Sequence, residues 1–360
     1  MIQGSTSRLD KSRTVDDINS DLPEDCITPP PERMLQKPCL EVVDSLHSSN
    51  LRPSTATLNA KTISLGHSHM RDVVETIGRS TVHHGHFSDR LYLMALDRCD
   101  FPGIIARMER LARKRRYGKV LARVPEDIVE AFLAEGYVCE ACVPEFFGRG
   151  RRGMFVSKFF SADRRTERHP NQLRRSMALF KNVPPGPIPF AGEAEATVEA
   201  CQTQDALEMS RVYRDVFESY PFPLDDPDYL KDTMEDHTAY FCIRRRGKIV
   251  AVASAEMDLR HENAEMTDFA VLPGWRNGRL ASRLLVAMEA EMRRRGIRVT
   301  YTIARALLPS VNVVFKRMGY RFSGILTNNT QIGGRIETMT VWHKPLTRRP
   351  VRVTSQAKGR

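Results

Sequence analysis

One stretch, Glu265 to Ala281, restricts the fold more than any other part of this 360-residue chain. Glu265 to Leu272 alternates with the period of a β-strand, and Pro273-Gly274-Trp275-Arg276-Asn277-Gly278 then forces a turn. Leu280, Leu284, Met288 and Met292 mark one stripe of a helix that begins at once. Strand, tight turn and helix N-terminus in that order make a site for a polyphosphate. The first N–H groups of a helix lack internal partners, and its dipole favours negative charge there. Glu265 lies upstream on the strand, where a carboxylate can handle a proton beside whatever the phosphates carry. A phosphate cradle next to a base is the minimum equipment for a coenzyme A-dependent acyl transfer.

Composition sets the frame. The chain is 41% hydrophobic and 28% charged, enough for two cores, and no apolar run approaches the length of a membrane span. No charged-then-apolar-then-small leader opens the sequence, and seven scattered cysteines suit a reducing cytoplasm better than a disulfide framework. Cys139 and Cys142 form a lone C-x-x-C with no second pair, so they read as structural, and His67, His69, His83, His84 and His86 match no metal-ligand spacing. No metal is expected. The net charge of +11 is dispersed among short Arg runs without interleaved aromatics, which argues against a nucleic-acid platform.

The chain divides by pattern. Residues 1–60 are rich in Ser, Thr, Pro and Asp and read as disordered, or as a spurious extension with Met34 or Met70 as the true start. Residues 61–165 alternate strand and helix, 166–189 read as a polar linker, 190–346 form a second α/β domain, and 347–360 a basic disordered tail. There is an internal repeat: Met108-Glu109, Gly118, Phe132 and Gly136-Tyr137 parallel Met288-Glu289, Gly296, Phe315 and Gly319-Tyr320. The first domain therefore reads as a degenerate copy of the second's C-terminal half, without the phosphate turn and non-catalytic.

Residues 190–346 resemble the GNAT acetyltransferases in the strand 265–272, the turn 273–281, and Asn312, Phe315 and Gly319-Tyr320. Ser219-Tyr220-Pro221-Phe222-Pro223, Ala253 to Asp258, Tyr301 to Ala306 and Thr327-Asn328-Asn329 look like the β-lysine N-acetyltransferases within that superfamily, as do Asp89 to Met94 and Phe155 to Phe160. The resemblance covers about residues 61–346. It implies an α/β (α+β mixed) sheet of the acyl-CoA N-acyltransferase fold, with a GNAT-like half domain before it. It also implies transfer of acetyl from acetyl-CoA to the ε-amine of β-lysine, giving a compatible solute. The partner is then a small diamine, with no nucleic acid and no membrane, and a homodimer is an assembly to be considered. Another small amine, a protein amine, or a non-catalytic acyl-CoA-binding role are the alternatives.

Site residues follow from both readings. Glu265 is the candidate base. Asp268 is base or substrate anchor, facing away from Glu265 in a regular strand and toward it only if the strand bulges. The resemblance assigns the coenzyme to Val271, to the turn Arg276, Asn277, Gly278, Arg279, Leu280 and Ala281, and to Asn312 and Phe315. Arg279 stands where the family carries a glycine, so it either pairs with phosphate or blocks the site. Phe315 stands where many members carry a tyrosine acid, with Tyr301 and Tyr320 as substitutes. A diamino acid needs anions and a cation: Glu256, Asp258 and Asn329 are candidates for its amines, Arg305 for its carboxylate, and Tyr220 for a lid contact.

Overall fold

The computed structural model describes residues 71–184, 186 and 197–346, so the extension and basic tail expected over 1–60 and 347–360 lie outside the described residues. The first half forms β1 (Val73–Ile77), β2 (Ser80–Gly85), β3 (Arg90–Ala95), α1 (Gly103–Arg115), β4 (Lys119–Pro125), α2 (Val129–Ala134), β5 (Val138–Val143) and β6 (Gly153–Phe159). Two helices follow, α3 (Ala162–Arg165) and α4 (Pro170–Lys181). The second half opens with β7 (Val198–Ala200), α5 (Ala206–Val216), α6 (Pro227–Asp236), β8 (Thr238–Arg245) and β9 (Lys248–Asp258). It continues through β10 (Asn263–Val271), α7 (Leu280–Arg294), β11 (Val299–Arg305), α8 (Pro309–Arg317), β12 (Arg321–Ile332) and β13 (Arg335–Pro345).

The 13 strands of the described residues form one mixed sheet, ordered β1-β2-β3-β4-β6-β5-β12-β13-β11-β10-β9-β8-β7. The order is two copies meeting edge to edge: β1-β2-β3-β4-β6-β5 mirrors β8-β9-β10-β11-β13-β12. Each copy holds one parallel pair, β3–β4 and β10–β11, crossed by α1 and α7 respectively. Those helices cover the sheet because their apolar residues recur at helical spacing: Ile104, Ile105, Met108 and Ala112 on α1, and Leu280, Leu284, Leu285, Met288 and Met292 on α7. The repeat seen in the sequence is thus a repeat of topology.

The joint between the copies is narrow. β5 and β12 share one register pair, Gly324 with Ala141. Gly324 has φ 142°, and a Cβ there would sit 2.2 Å from the Glu140 carbonyl oxygen, so only glycine fits. A buried polar knot holds this edge. Lys119 Nζ donates to Glu140 Oε2 at 2.7 Å and to the Thr327 carbonyl at 2.8 Å, while the Thr327 N–H donates to Glu140 Oε1 at 2.7 Å. Apolar packing completes it: Tyr92, Leu121 and Phe155 share a core with Tyr301, Leu326 and Val341.

One expectation needs correction, and two elements lie beyond what local patterning marks. The stretch expected as a polar linker carries α4, which starts on Pro170 and buries Leu173 and Phe180, the latter 5.8 Å from Trp342 ring to ring. Its apolar stripe is only Leu173, Met177 and Phe180 within a cationic run, too thin to stand out. The hairpin β1–β2 carries little apolar alternation because, Val82 apart, its buried positions are polar: Ser80 donates to Asp100, and His84 pairs with Tyr117 and Glu75. Past its apolar segment, β12 runs on through Thr327–Thr330, buried polar residues whose backbone serves the joint.

Glu140→Ala leaves the Lys119 ammonium buried without an anion, and is expected to lower the unfolding free energy by about 3–5 kcal/mol. Asp127→Ala, which breaks the half-exposed pair with Arg98, is expected to cost no more than about 1 kcal/mol. Urea unfolding of the full chain measures both, and similar losses would show that the knot does not carry the joint.

Candidate active site

The site grows out of an irregularity in β10. Thr267 pairs with Ser254 and Ala270 with Val252, so Asp268 and Phe269 together stand opposite Ala253 alone: a β-bulge, with Asp268 at φ 55°. One extra residue inverts the faces. Before the bulge, Ala264 and Met266 pack toward α7; after it, Phe269 and Val271 do. Asp268 therefore joins Glu265 and Thr267 on the opposite face, and all three line one cavity of about 260 Å³.

At the same place the sheet opens. β10 pairs with β11 only through Asn263–Val299, Ala264–Thr300 and Glu265–Tyr301, although both strands continue. The Leu272 N–H donates back to Val250, so by strand alternation the Val271 backbone groups face the gap, where the Val271 carbonyl receives Arg276 Nε at 3.4 Å. The gap leads to a 3₁₀ turn, Pro273–Gly278, and then to α7. The N-terminus of α7 has no side-chain cap and no acid in its first turn, and Arg276 and Arg279 stand exposed before it. Arg279 has φ 51°, the left-handed conformation that suits the glycine expected there.

Within the cavity, like charges face each other. Glu256 and Glu265 are direct cross-strand neighbours. Burial, then the charges of Glu265 and Asp268, push Glu256 well above the carboxylate range. Burial raises Glu265 to about 7, with the Arg123 charge and a Tyr301 hydrogen bond holding it from going further. Burial also raises Asp268, against hydrogen bonds from Ser254 Oγ, the Tyr220 hydroxyl at 2.6 Å and, at 3.4 Å, Thr267 Oγ1. Asp258 moves the other way: burial opposes its charge, yet His261, whose Nδ1 lies 2.6 Å away, holds it below the usual range.

The structure gathers Glu265, Asp268, Tyr220, Glu256, Asp258, Asn329, Arg305 and Phe315 on this cavity. Two of the expected roles do not survive. Asn312 is fully buried: its Nδ2 donates to the Arg305 and Leu308 carbonyls, and its Oδ1 receives Thr340 Oγ1 and Trp342 Nε1. No donor or acceptor is left over for a coenzyme, so it is a brace for the β11–α8 turn. Arg305 is committed to Glu337 at 2.8 Å, which displaces it as the carboxylate reader. Phe315 packs edge-on to Phe269 and Tyr320 and offers no proton; Tyr320 is tied to Thr300 and lies off the cavity.

Sequence reading missed the contribution of the first half. Arg90, Tyr92 and Met94 on β3, with Leu121 and Arg123 on β4, line the cavity. Arg123 donates to the Tyr301 hydroxyl at 2.7 Å and to the Met94 carbonyl at 2.6 Å, and burial of its charge is outweighed by Tyr301, Tyr92 and Glu265, which keep it protonated. The expected non-catalytic domain therefore supplies a wall of the site. Its signal was an arginine on each of two largely apolar strands, visible only once β3 and β4 are known to face β10. Among the described residues no group of His, Cys, Asp or Glu could hold a metal ion, and no helix is long and apolar enough to cross a membrane.

Comparison with known proteins agrees with this geometry. The profile of the Acetyltransferase (GNAT) family matches residues 207–320. The beta-lysine N(6)-acetyltransferase of Methanococcus maripaludis is 36% identical over 76% of this chain and 99% of its own length. The enzyme of that name from Methanosarcina mazei is 29% identical over 68% of this chain and 98% of its own. The N-acetyltransferase YodP of Bacillus subtilis is 30% identical over 60% of this chain and 76% of its own.

The raised Glu265 carboxyl predicts a specific linkage. Its folded pKa of about 7 exceeds the unfolded value, so the wild type loses stability as pH rises through about 7. Glu265→Gln has no charge to bury. Its unfolding midpoint is expected to exceed the wild type's at pH about 8 and to converge with it near pH 5. A constant offset at both pH values would mean that Glu265 titrates normally.

Proposed function

Because the chain belongs to the GNAT acetyltransferase family, we propose that it moves the acetyl group of acetyl-CoA to the ε-amine of β-lysine by direct attack of the amine on the thioester. The beta-lysine N(6)-acetyltransferases, matched over nearly their whole length, support the substrate. The cavity supports it on chemical grounds, since a diamino acid meets carboxylates for its ammonium groups and guanidinium groups for its carboxylate. One observation carries the reading: β10–β11 pairing ends at Glu265, a half-buried residue whose carboxyl desolvation pushes up to about 7.

Each residue then has a task. Arg276, Arg279 and the turn 276–281 hold the pyrophosphate at the uncapped start of α7, and Val271 offers its backbone to the pantetheine arm. Glu265 withdraws the proton that keeps a lysine-type amine, with a pKa near about 10.4, from attacking. The Val271 N–H faces the developing oxyanion. Phe315 leaves the departing thiolate to water. Asp268, carrying Tyr220 and Ser254, fixes the lid loop between α5 and α6 over the amine. In this reading the partner is a small diamine in the cytoplasm, with no call on nucleic acid or membrane.

Coenzyme A release in the presence of β-lysine tests the reading. The wild-type kcat/KM is expected to rise with pH through about 7 as Glu265 loses its proton. Glu265→Gln is expected to lower kcat/KM by about 10²–10⁴ and to erase that limb, with acetyl-CoA affinity by calorimetry little changed. Persistence of the limb in the variant would remove Glu265 as the base. Arg279→Ala is expected to weaken acetyl-CoA binding by about tenfold and to reduce its salt dependence. Tighter binding would mean that the arginine obstructs the turn.

A further inference from the structure

The first half has no phosphate turn, yet it sends two arginines into the cavity, and they are not equivalent. Arg123 has acceptors on both Nη atoms, as described above. Arg90, only 4% exposed, makes a single long hydrogen bond, 3.3 Å from Nη1 to the Asn329 carbonyl. Its Nε has no acceptor, and among the described residues no carboxylate pairs with it. A guanidinium buried without an anion is costly, and burial pulls its pKa down to about 10.

Beside it stands the complementary deficit. Asn329 is 2% exposed, lines the cavity, and has no donor for its Oδ1. Its placement is built in. The β12–β13 register breaks between Leu326 and Thr330, with Asn328 at φ 42°. The Asn328 side chain is pinned to the carbonyls of Asp163, Arg164 and Thr166. An unspent cationic donor and an unspent acceptor thus share a cavity with the Glu256–Glu265 pair.

We propose that Arg90 and Asn329 read the zwitterionic end of the substrate: Arg90 binds the carboxylate, Asn329 Oδ1 accepts from the amine beside it, and the remote amine is left to face Glu265. This rests on the β-lysine reading and states which groups of that molecule the chain recognises. A polyamine lacking a carboxylate leaves Arg90 buried and unpaired, so the site rejects it by a polar group left unsatisfied. The degenerate half is then the specificity element of the enzyme.

The test uses the full chain and three amines: β-lysine, the same molecule without its carboxylate (a methyl-substituted putrescine), and ε-aminocaproate, which lacks the inner amine. Wild-type kcat/KM for β-lysine is expected to exceed that for either analogue by about tenfold or more. In Arg90→Gln the preference over the methylputrescine is expected to narrow by about tenfold, mainly through KM, with partial recovery in Arg90→Lys. Asn329→Leu is expected to narrow the preference over ε-aminocaproate instead. An equal fall for all three amines in Arg90→Gln would reduce Arg90 to a structural residue. Wild-type indifference to the carboxylate would overturn the proposal without any variant. Wild-type failure to acetylate β-lysine at all would instead remove the reading of function, and this inference with it.

Discussion

The Lys119–Glu140 pair, sealed from water at the β5–β12 edge, is the constraint on which the rest of the molecule depends. A buried ion pair contributes little net stability, but it tolerates no wrong partner, because any shift strands a charge in an apolar interior. Here both charges also claim the backbone of Thr327, so the pair fixes the register of one half against the other. With a single ladder pair at that edge, hydrogen bonding along the strands alone would leave the register loosely set. The consequence is geometric: β3 and β4 come to face β10 and β11, and the cavity closes between them.

Two bulges then do the local work. The first, in β10, turns Asp268 onto the face of Glu265; the second, in β12, brings Asn329 inward. Each carries a non-glycine residue at positive φ, Asp268 and Asn328, a conformation that persists only where surrounding bonds enforce it. Those bonds are visible. Ser254 and Tyr220 hold Asp268, and three backbone carbonyls hold Asn328. Strain and polar burial are concentrated where the chain departs from regular pairing, on the two sides of one cavity.

The electrostatics of that cavity follow from its enclosure. Three carboxyl groups on two neighbouring strands cannot all be ionised in one enclosed cavity, so protons remain on them at pH values where exposed carboxylates are bare. In the proposed function, the ammonium groups of the diamino acid take the place of those protons as counter-charge. The same enclosure leaves Arg90 short of an anion. In the proposed reading, the site's unmet charges are the negative image of a diamino acid.

The strand, turn and helix at 265–281 were legible in the sequence because local chemistry fixes them: alternation, a Pro-Gly break and a helical stripe need no distant partner. The repeat was legible for the same reason, as was Glu265 as a carboxylate entering the turn. Asp268 could not be assigned a face, since a one-residue bulge is decided by what packs on either side. Asn312 and Arg305 carried the right chemistry in the right segments, but their neighbours across the sheet, Trp342 with Thr340 and Glu337, claim them first. Arg90 and Arg123 were invisible as site residues because their distance from β10 is set by a joint formed far along the chain. Sequence alone determined the elements and the acyl-transfer equipment; only the tertiary structure decided which charges meet, because pairing in a closed cavity depends on register between segments remote in the chain.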